Sequence, residues 1–462
     1  MATQVLKCER HGEATRLTCV ECGTPICPRC AVRTDVGLKC EADAKSVELS
    51  KETLALMRPS RTPLYLGLAG LVVLVAVVAV LAMGGGDDTE APTAALPAVG
   101  QWSPVPDLVN IRGTTAMVLL KDGRALATGG GVGQQAVPAA EIFDPATGVW
   151  QGTGSMSQAR RGHQAVVLGD GRVLVAGGID EGELLASAEI YDPASGQWTP
   201  TAPLNVPRLG STLTLLVNGN VLATGGTSAD TASGAGGGQT IRPDATAEVY
   251  NVVAGTWART SGGMSTPRFE HTATLLDDGR VLVAGGQGPP IAGASAALAT
   301  TEIYDPAVDS FRQSNDMADA RFNHSAVRLP DRSVMMVGGA GGTNGDTSLA
   351  TAEMFSPGDG SWTSAGAISG SRTGHVATVF PDGRVLVAGG ETVTRGNRRS
   401  LASAEIFALD KREWRSAGEM NCPRSEPSAI LLGDGSVLVV AGDFAAPGQA
   451  PDPKGCADRY RP

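Results

Sequence analysis

Several features are scarce in this 462-residue chain, and each scarcity narrows its class. Aromatic residues make up 4%, and long amphipathic helical patterns are few, whereas glycine is abundant at 61 residues; short strands joined by turns suit that balance better than a helical bundle. Basic charge falls short of acidic charge, 37 against 47, for a net charge of −10. Such a surface argues against nucleic acid as the main partner, because phosphate contacts need basic side chains. Cysteine is missing from the whole stretch between Cys40 and Cys422. No Ser-His-Asp arrangement or phosphate-binding glycine loop stands out, and no Tyr lies beside a His. Catalysis is therefore not expected.

The eight cysteines that are present fall into two groups. Six precede residue 41 in short pairs, a metal-binding habit, and Cys422 and Cys456 stand apart as a candidate disulfide. Reduced thiolates and a disulfide require different redox compartments. A membrane between the two groups resolves the conflict. Residues Leu64 to Met83 carry no charge, and about 20 helical residues span roughly the 30 Å of a bilayer's hydrocarbon core. Lys51, Arg58 and Arg61 precede this run, whereas Asp87, Asp88 and Glu90 follow it. The positive side should stay in the cytoplasm. The expected organisation is a finger over 1–45, a juxtamembrane segment over 46–62 and a single transmembrane helix over 63–83. A flexible linker over 84–100 then leads to a periplasmic or extracellular domain over 101–462.

In the N-terminal segment four pairs, each with two intervening residues, run Cys8/His11, Cys19/Cys22, Cys27/Cys30 and Cys40/Asp43. Two side chains on one tight turn reach the same ion, and four complete a tetrahedral zinc site, so eight ligands suit two Zn2+. Some 45 residues bury too little apolar area to fold unaided, and zinc would supply the missing stability. A single zinc with two spare thiols, or a redox Cys-x-x-Cys, is the plainer alternative. The spacing resembles the B-box type zinc finger. That resemblance implies cross-bracing, with Cys8, His11, Cys27 and Cys30 on one ion and Cys19, Cys22, Cys40 and Asp43 on the other. It also implies a protein partner on the cytoplasmic side.

Beyond residue 100 the chain repeats. Gly-Gly doublets begin at 129, 177, 225, 285, 338 and 389, with Ala441-Gly442 as a degenerate seventh, at intervals of 48, 48, 60, 53, 51 and 52 residues. A period near 50 with this doublet resembles the kelch repeat, which implies a β-propeller of four-stranded blades. The unit around Gly285 predicts strands over 271–276, 280–286 and 301–306, then a fourth at Phe311. Residues 456–462 match a third strand and then stop, and Gly100-Gln101-Trp102 supplies the missing fourth. The expected fold is thus mainly β: a seven-bladed propeller closed by a blade built from both ends of the repeat region, with Cys422–Cys456 tying that blade.

Polar residues repeat too. Arg112, Arg160, Arg208, Arg268, Arg321, Arg372 and Arg424 precede the first strands, and Glu141, Glu189, Glu248, Glu302, Glu353, Glu405 and Asp458 open the third. Both positions lie at one end of an antiparallel meander, so structural ion pairs are expected; a cationic rim for anionic ligands is the alternative. His163, His271, His324 and His375 recur three residues after the Arg, as packing residues or as converging metal ligands. The long loops 227–246, 287–299 and 391–402 gather on the face opposite the short turns, where recognition usually resides. Three functional readings follow. In the first, an anchored scaffold binds a protein or glycan outside. In the second, the propeller is an enzyme resembling galactose-oxidase-like copper enzymes. In the third, it is a structural envelope module.

Overall fold

The computed structural model describes residues 100–462 except 111, 134, 230–240, 291–295, 343, 445–451 and 454–455. Before residue 100 it describes only short strands between Leu6 and Cys40. These form three two-stranded ladders, Leu6–Lys7 with Ala14–Thr15, Leu17–Thr18 with Pro25–Ile26, and Ala31–Thr34 with Gly37–Cys40. The proposed zinc ligands Cys8, His11, Cys19, Cys22, Cys27, Cys30 and Asp43 lie outside the described residues, as do the linker before Gly100 and the apolar run 64–83. Among the described residues no helix is long and apolar enough to cross a membrane.

From Gly100 onward the protein is a β-propeller whose seven blades are each a four-stranded antiparallel sheet. Blades 1 to 7 begin with inner strands Ala116–Leu119, Gln164–Val167, Thr212–Leu215, Thr272–Leu275, Ser325–Arg328, Val376–Val379 and Ser428–Leu431. Each inner strand neighbours the next, and the seventh neighbours the first, so the ring is closed. The second strands, such as Val173–Ala176 and Val281–Ala284, are buried along their whole length and supply the cores between blades. In the repeat around Gly285 the first three strands fall at Thr272–Leu275, Val281–Ala284 and Thr301–Asp305, inside the predicted ranges.

Blade 7 is composite. Its outer strand is Gln101–Val105, paired antiparallel with the C-terminal strand Ala457–Arg461, with Trp102 opposite Tyr460. Cys422 and Cys456 are joined in a disulfide within the same blade.

The doublets have a steric cause. A Cβ on Gly177, Gly225 or Gly285 would lie 2.6, 2.4 or 2.5 Å from the carbonyl oxygen of the next blade's Arg. The second glycine donates its N–H to that same oxygen, as Gly226 does to Arg268 at 2.9 Å. Blades therefore dock backbone to backbone, closer than side chains allow. Outer tryptophans add a second tie: Trp198, Trp362, Trp414 and Trp102 donate Nε1–H to carbonyls of the preceding blade at 2.7–2.9 Å.

Candidate functional site

The seven repeated arginines lie in the body of the molecule, at 0–1% exposure. In blade 4, Arg268 donates to Glu302 at 2.9 Å, to the Gly285 carbonyl at 2.7 Å and to the Thr300 carbonyl at 2.9 Å. Glu302 in turn accepts the N–H groups of Ser265 and Thr266 from the link that enters the blade. Equivalent ion pairs hold Arg112–Glu141, Arg160–Glu189, Arg208–Glu248, Arg321–Glu353, Arg372–Glu405 and Arg424–Asp458. The cationic-rim alternative for Arg112, Arg160, Arg208, Arg268, Arg321, Arg372 and Arg424 is therefore corrected: no guanidinium is open to a ligand, and the set staples loop to sheet.

The histidines are also structural. His163, His271 and His324 set Nε2 at 2.9, 2.9 and 3.0 Å from hydroxyls of Thr128, Thr224 and Thr272, each in the preceding blade. Burial, with the nearby arginines, holds His163 and His324 down at about 3 and His271 and His375 well below the usual imidazole range. They are neutral spacers between blades. Among the described residues no group of three His, Cys, Asp or Glu side chains could hold a metal ion.

What the repeats leave open is a funnel of about 800 Å³ on the axis, at the loop end. Its neck is formed by the residue two positions after each Arg: Thr114, Gly162, Gly210, Glu270, Asn323, Gly374 and Glu426. All seven are in the left-handed region, with φ between 46° and 66°. Four of them are not glycine, and that conformation is costly for a residue with a Cβ. A chain of bonds from backbone N–H to carbonyl holds the neck: Glu270 to Gly210, Asn323 to Glu270, Gly374 to Asn323 and Glu426 to Gly374, at 2.7–3.0 Å. Gly374 leaves the gap between Asn323 and Glu426, where an added Cβ would lie 3.2–3.3 Å from both side chains.

The neck is acidic on one side. Burial and the neighbouring Glu426 charge push the Glu270 carboxyl up to about 7, against the pull of Arg398. Glu426 is raised by its surroundings and by Asp443 and Glu391, while Arg398 and a hydrogen bond from Asn323 oppose the shift. Glu391 pairs with Arg398 on the hairpin Glu391–Thr394/Asn397–Ser400, which belongs to one of the long loops singled out by sequence. Leu209, Pro243, Phe269 and Pro290 form an apolar wall. The arrangement offers hydrogen-bond acceptors and partial negative charge beside a greasy surface, which suits a basic or polyhydroxylated ligand.

Sequence reasoning missed this neck. The available signal was a position that is Gly in three blades and Glu, Asn or Thr in the others.

A kelch motif model matches residues 160–205. Kelch-like protein 34 of Homo sapiens is 27% identical over 37% of this chain and 27% of its own length. Kelch-like protein 36 of Rattus norvegicus is 27% identical over 38% of this chain and 27% of its own. A galactose oxidase of Gibberella zeae is 37% identical over 21% of this chain and 15% of its own. The chain thus spans about a quarter of the length of the Kelch-like relatives. Among solved structures, a fungal alcohol oxidase in complex with copper superposes with a TM-score of 0.62 at 18% identity, over 79% of this chain and 76% of that one, which is a likeness of fold. A copper centre of paired Tyr and His ligands does not fit the residues here. Tyr191, Tyr250, Tyr304 and Tyr460 stack on outer-strand aromatics at 4.9–5.0 Å, away from the funnel.

Proposed function

We propose that this protein is a membrane-anchored binding protein whose propeller, on the periplasmic or extracellular side, takes a protein or glycan at the axial funnel. In this reading residues 63–83 cross the bilayer, and the finger of residues 1–45, carrying two Zn2+, engages a cytoplasmic protein. The observation that carries the propeller half is the neck. Glu270 and Glu426 occupy a left-handed backbone that glycine would adopt more cheaply, and both line the axial funnel, where the charge of one raises the other's carboxyl. Groups that cost stability and support no packing are expected where a ligand repays them. Of the two ligand classes, a protein segment presenting Lys or Arg matches the acidic neck and its apolar wall best. We read the site as binding rather than catalytic.

The test is binding of the detergent-solubilised full chain to peptide and glycan arrays, repeated with Glu270→Gln and Glu426→Gln. Basic peptides should be retained by the parent and weakened about tenfold or more by either change, the scale of losing a charge-assisted hydrogen bond. Retention should also rise from pH 6 to pH 8, as Glu270 ionises through about 7. An array pattern indifferent to both substitutions would overturn the assignment to the funnel.

A further inference from the structure

The connection between the second and third strands of blade 6 differs from its six counterparts. Residues 391–402 hold Arg395, Arg398 and Arg399 against a single carboxylate, Glu391. The other six connections, 131–139, 179–187, 227–246, 287–300, 340–350 and 443–456, are neutral or acidic. The hairpin that carries these arginines is braced. Its strands, Glu391–Thr394 and Asn397–Ser400, are joined by a two-residue tip, Arg395-Gly396, with φ of 51° and 79°. Such tips ordinarily use Asn-Gly, because both positions need a positive φ. A long side chain at the first of them costs backbone strain and adds nothing to the turn. Thr394 pairs with Thr347 of the blade 5 hairpin Ala340–Gly341/Thr347–Ser348. Val393 donates its N–H to Ser348 Oγ at 3.0 Å, and Gly396 donates to the Asp346 carbonyl at 3.3 Å. The two hairpins thus form one sheet across blades 5 and 6. Glu391 and Val393 are buried, whereas every residue from Thr394 to Arg399 is exposed. Glu391 holds Arg398 in an ion pair. Arg395 and Arg399 have no acidic partner among the described residues.

The base of this hairpin stands at the neck. The charge of Arg398 acts on both Glu270 and Glu426, and that of Glu391 acts on Glu426. Four strand residues separate Glu391 from Arg395, a distance of about 13 Å at roughly 3.3 Å per residue. The funnel face therefore offers carboxyls on the axis and, some four extended residues outward, two uncommitted guanidiniums on a fixed support. We infer that the hairpin is a second subsite of the funnel, and that the ligand is an extended polypeptide segment carrying charges of both signs. Its Lys or Arg enters the neck, and Asp or Glu about four positions away meets Arg395 and Arg399. The inference rests on the funnel reading above and names what that ligand must look like. A sulfated glycan answers the arginines but brings no cation for Glu270 and Glu426. A purely basic peptide suits the neck but is repelled by the hairpin. A segment with both charges satisfies the two together, and the pairing fixes its direction across the face.

The experiment uses the detergent-solubilised full chain and dye-labelled peptides of Gly and Ser, followed by fluorescence anisotropy. One peptide carries a single Lys; the others add an Asp-Asp pair two to six residues away on either side. The best placement should lie three to five residues from the Lys. It should bind about three- to tenfold tighter than Lys alone, the scale of two exposed ion pairs. Raising the salt should shrink that ratio. In Arg395→Gly with Arg399→Gln the ratio should fall to about one. Arg395→Gly by itself should melt no lower than the parent, because glycine accepts that φ, so lost recognition is separated from lost folding. A ratio near one in the parent for every placement, or one that survives the double variant, overturns the subsite. So does a heparin oligosaccharide that binds through the arginines more tightly than any peptide. Lys-only binding that is lost in Glu270→Gln, with nothing gained from Asp, leaves the funnel standing without the subsite. Binding of no peptide removes both.

Discussion

Two positions separated by a single residue in each repeat behave in opposite ways. The Arg at the head of every blade is the same residue seven times, buried and paired with a carboxylate seven times. The residue two places on is Thr, Gly, Gly, Glu, Asn, Gly and Glu, and it faces the open axis. The first position answers to a requirement that every blade shares: a link must be fastened to a sheet, with each buried charge satisfied. The second answers to no such requirement, so it is free to differ. In a repeat protein, uniformity marks scaffold and departure from uniformity marks a site for recognition.

The sharpest way to test this contrast is to break one socket. Arg268→Ala leaves Glu302 without its counter-ion and should cost about 3–5 kcal/mol in denaturant unfolding. Cleaving the C-terminal tie comes next. Cys422→Ser with Cys456→Ser frees a 34-residue separation and should cost about 3–4 kcal/mol on the loop-entropy account.

Acid probes the uniform positions in a different way. His163 and His324 stay neutral in the fold to about pH 3 but protonate near pH 6.5 when unfolded, so the unfolded state binds more protons between those values. The stability these two imidazoles contribute is complete above pH 6.5 and falls as pH drops, by about 1.4 kcal/mol per unit for each. His163→Asn should flatten the slope of stability against pH by that amount.

The variable position should respond least in stability. Glu426→Gly removes both a strained left-handed φ of 50° and a crowded charge, so a gain of up to about 1 kcal/mol is expected, together with loss of ligand binding. A loss comparable to that of Arg268→Ala would erase the distinction drawn above.

The same contrast explains what could be read without coordinates. The Arg–carboxylate pairing, the shared blade, the Cys422–Cys456 bond and the strand positions were all legible, because seven copies of one solution average out local ambiguity. The neck was not. Glu270, Asn323 and Glu426 share no identity, and their common geometry arises only when seven inner strands close around an axis. Phe269, Pro243 and Pro290 reach the funnel from three different loops, which no spacing rule connects. The zinc finger and membrane readings concern residues outside those described, and they remain proposals drawn from ligand spacing and charge.

The shared blade has a consequence for how the molecule is made. Ser103 and its partner Arg459 are separated by 356 positions, so the first propeller strand to be synthesised is the last to be docked. At some 5–20 residues per second it waits roughly 20–70 seconds with an unsatisfied edge. Until Ala457–Arg461 emerge, the wheel stays an open arc with two sticky margins, which is the period when a chaperone would be needed most. A chain cut before Ala457 would have six complete blades and still lack its clasp.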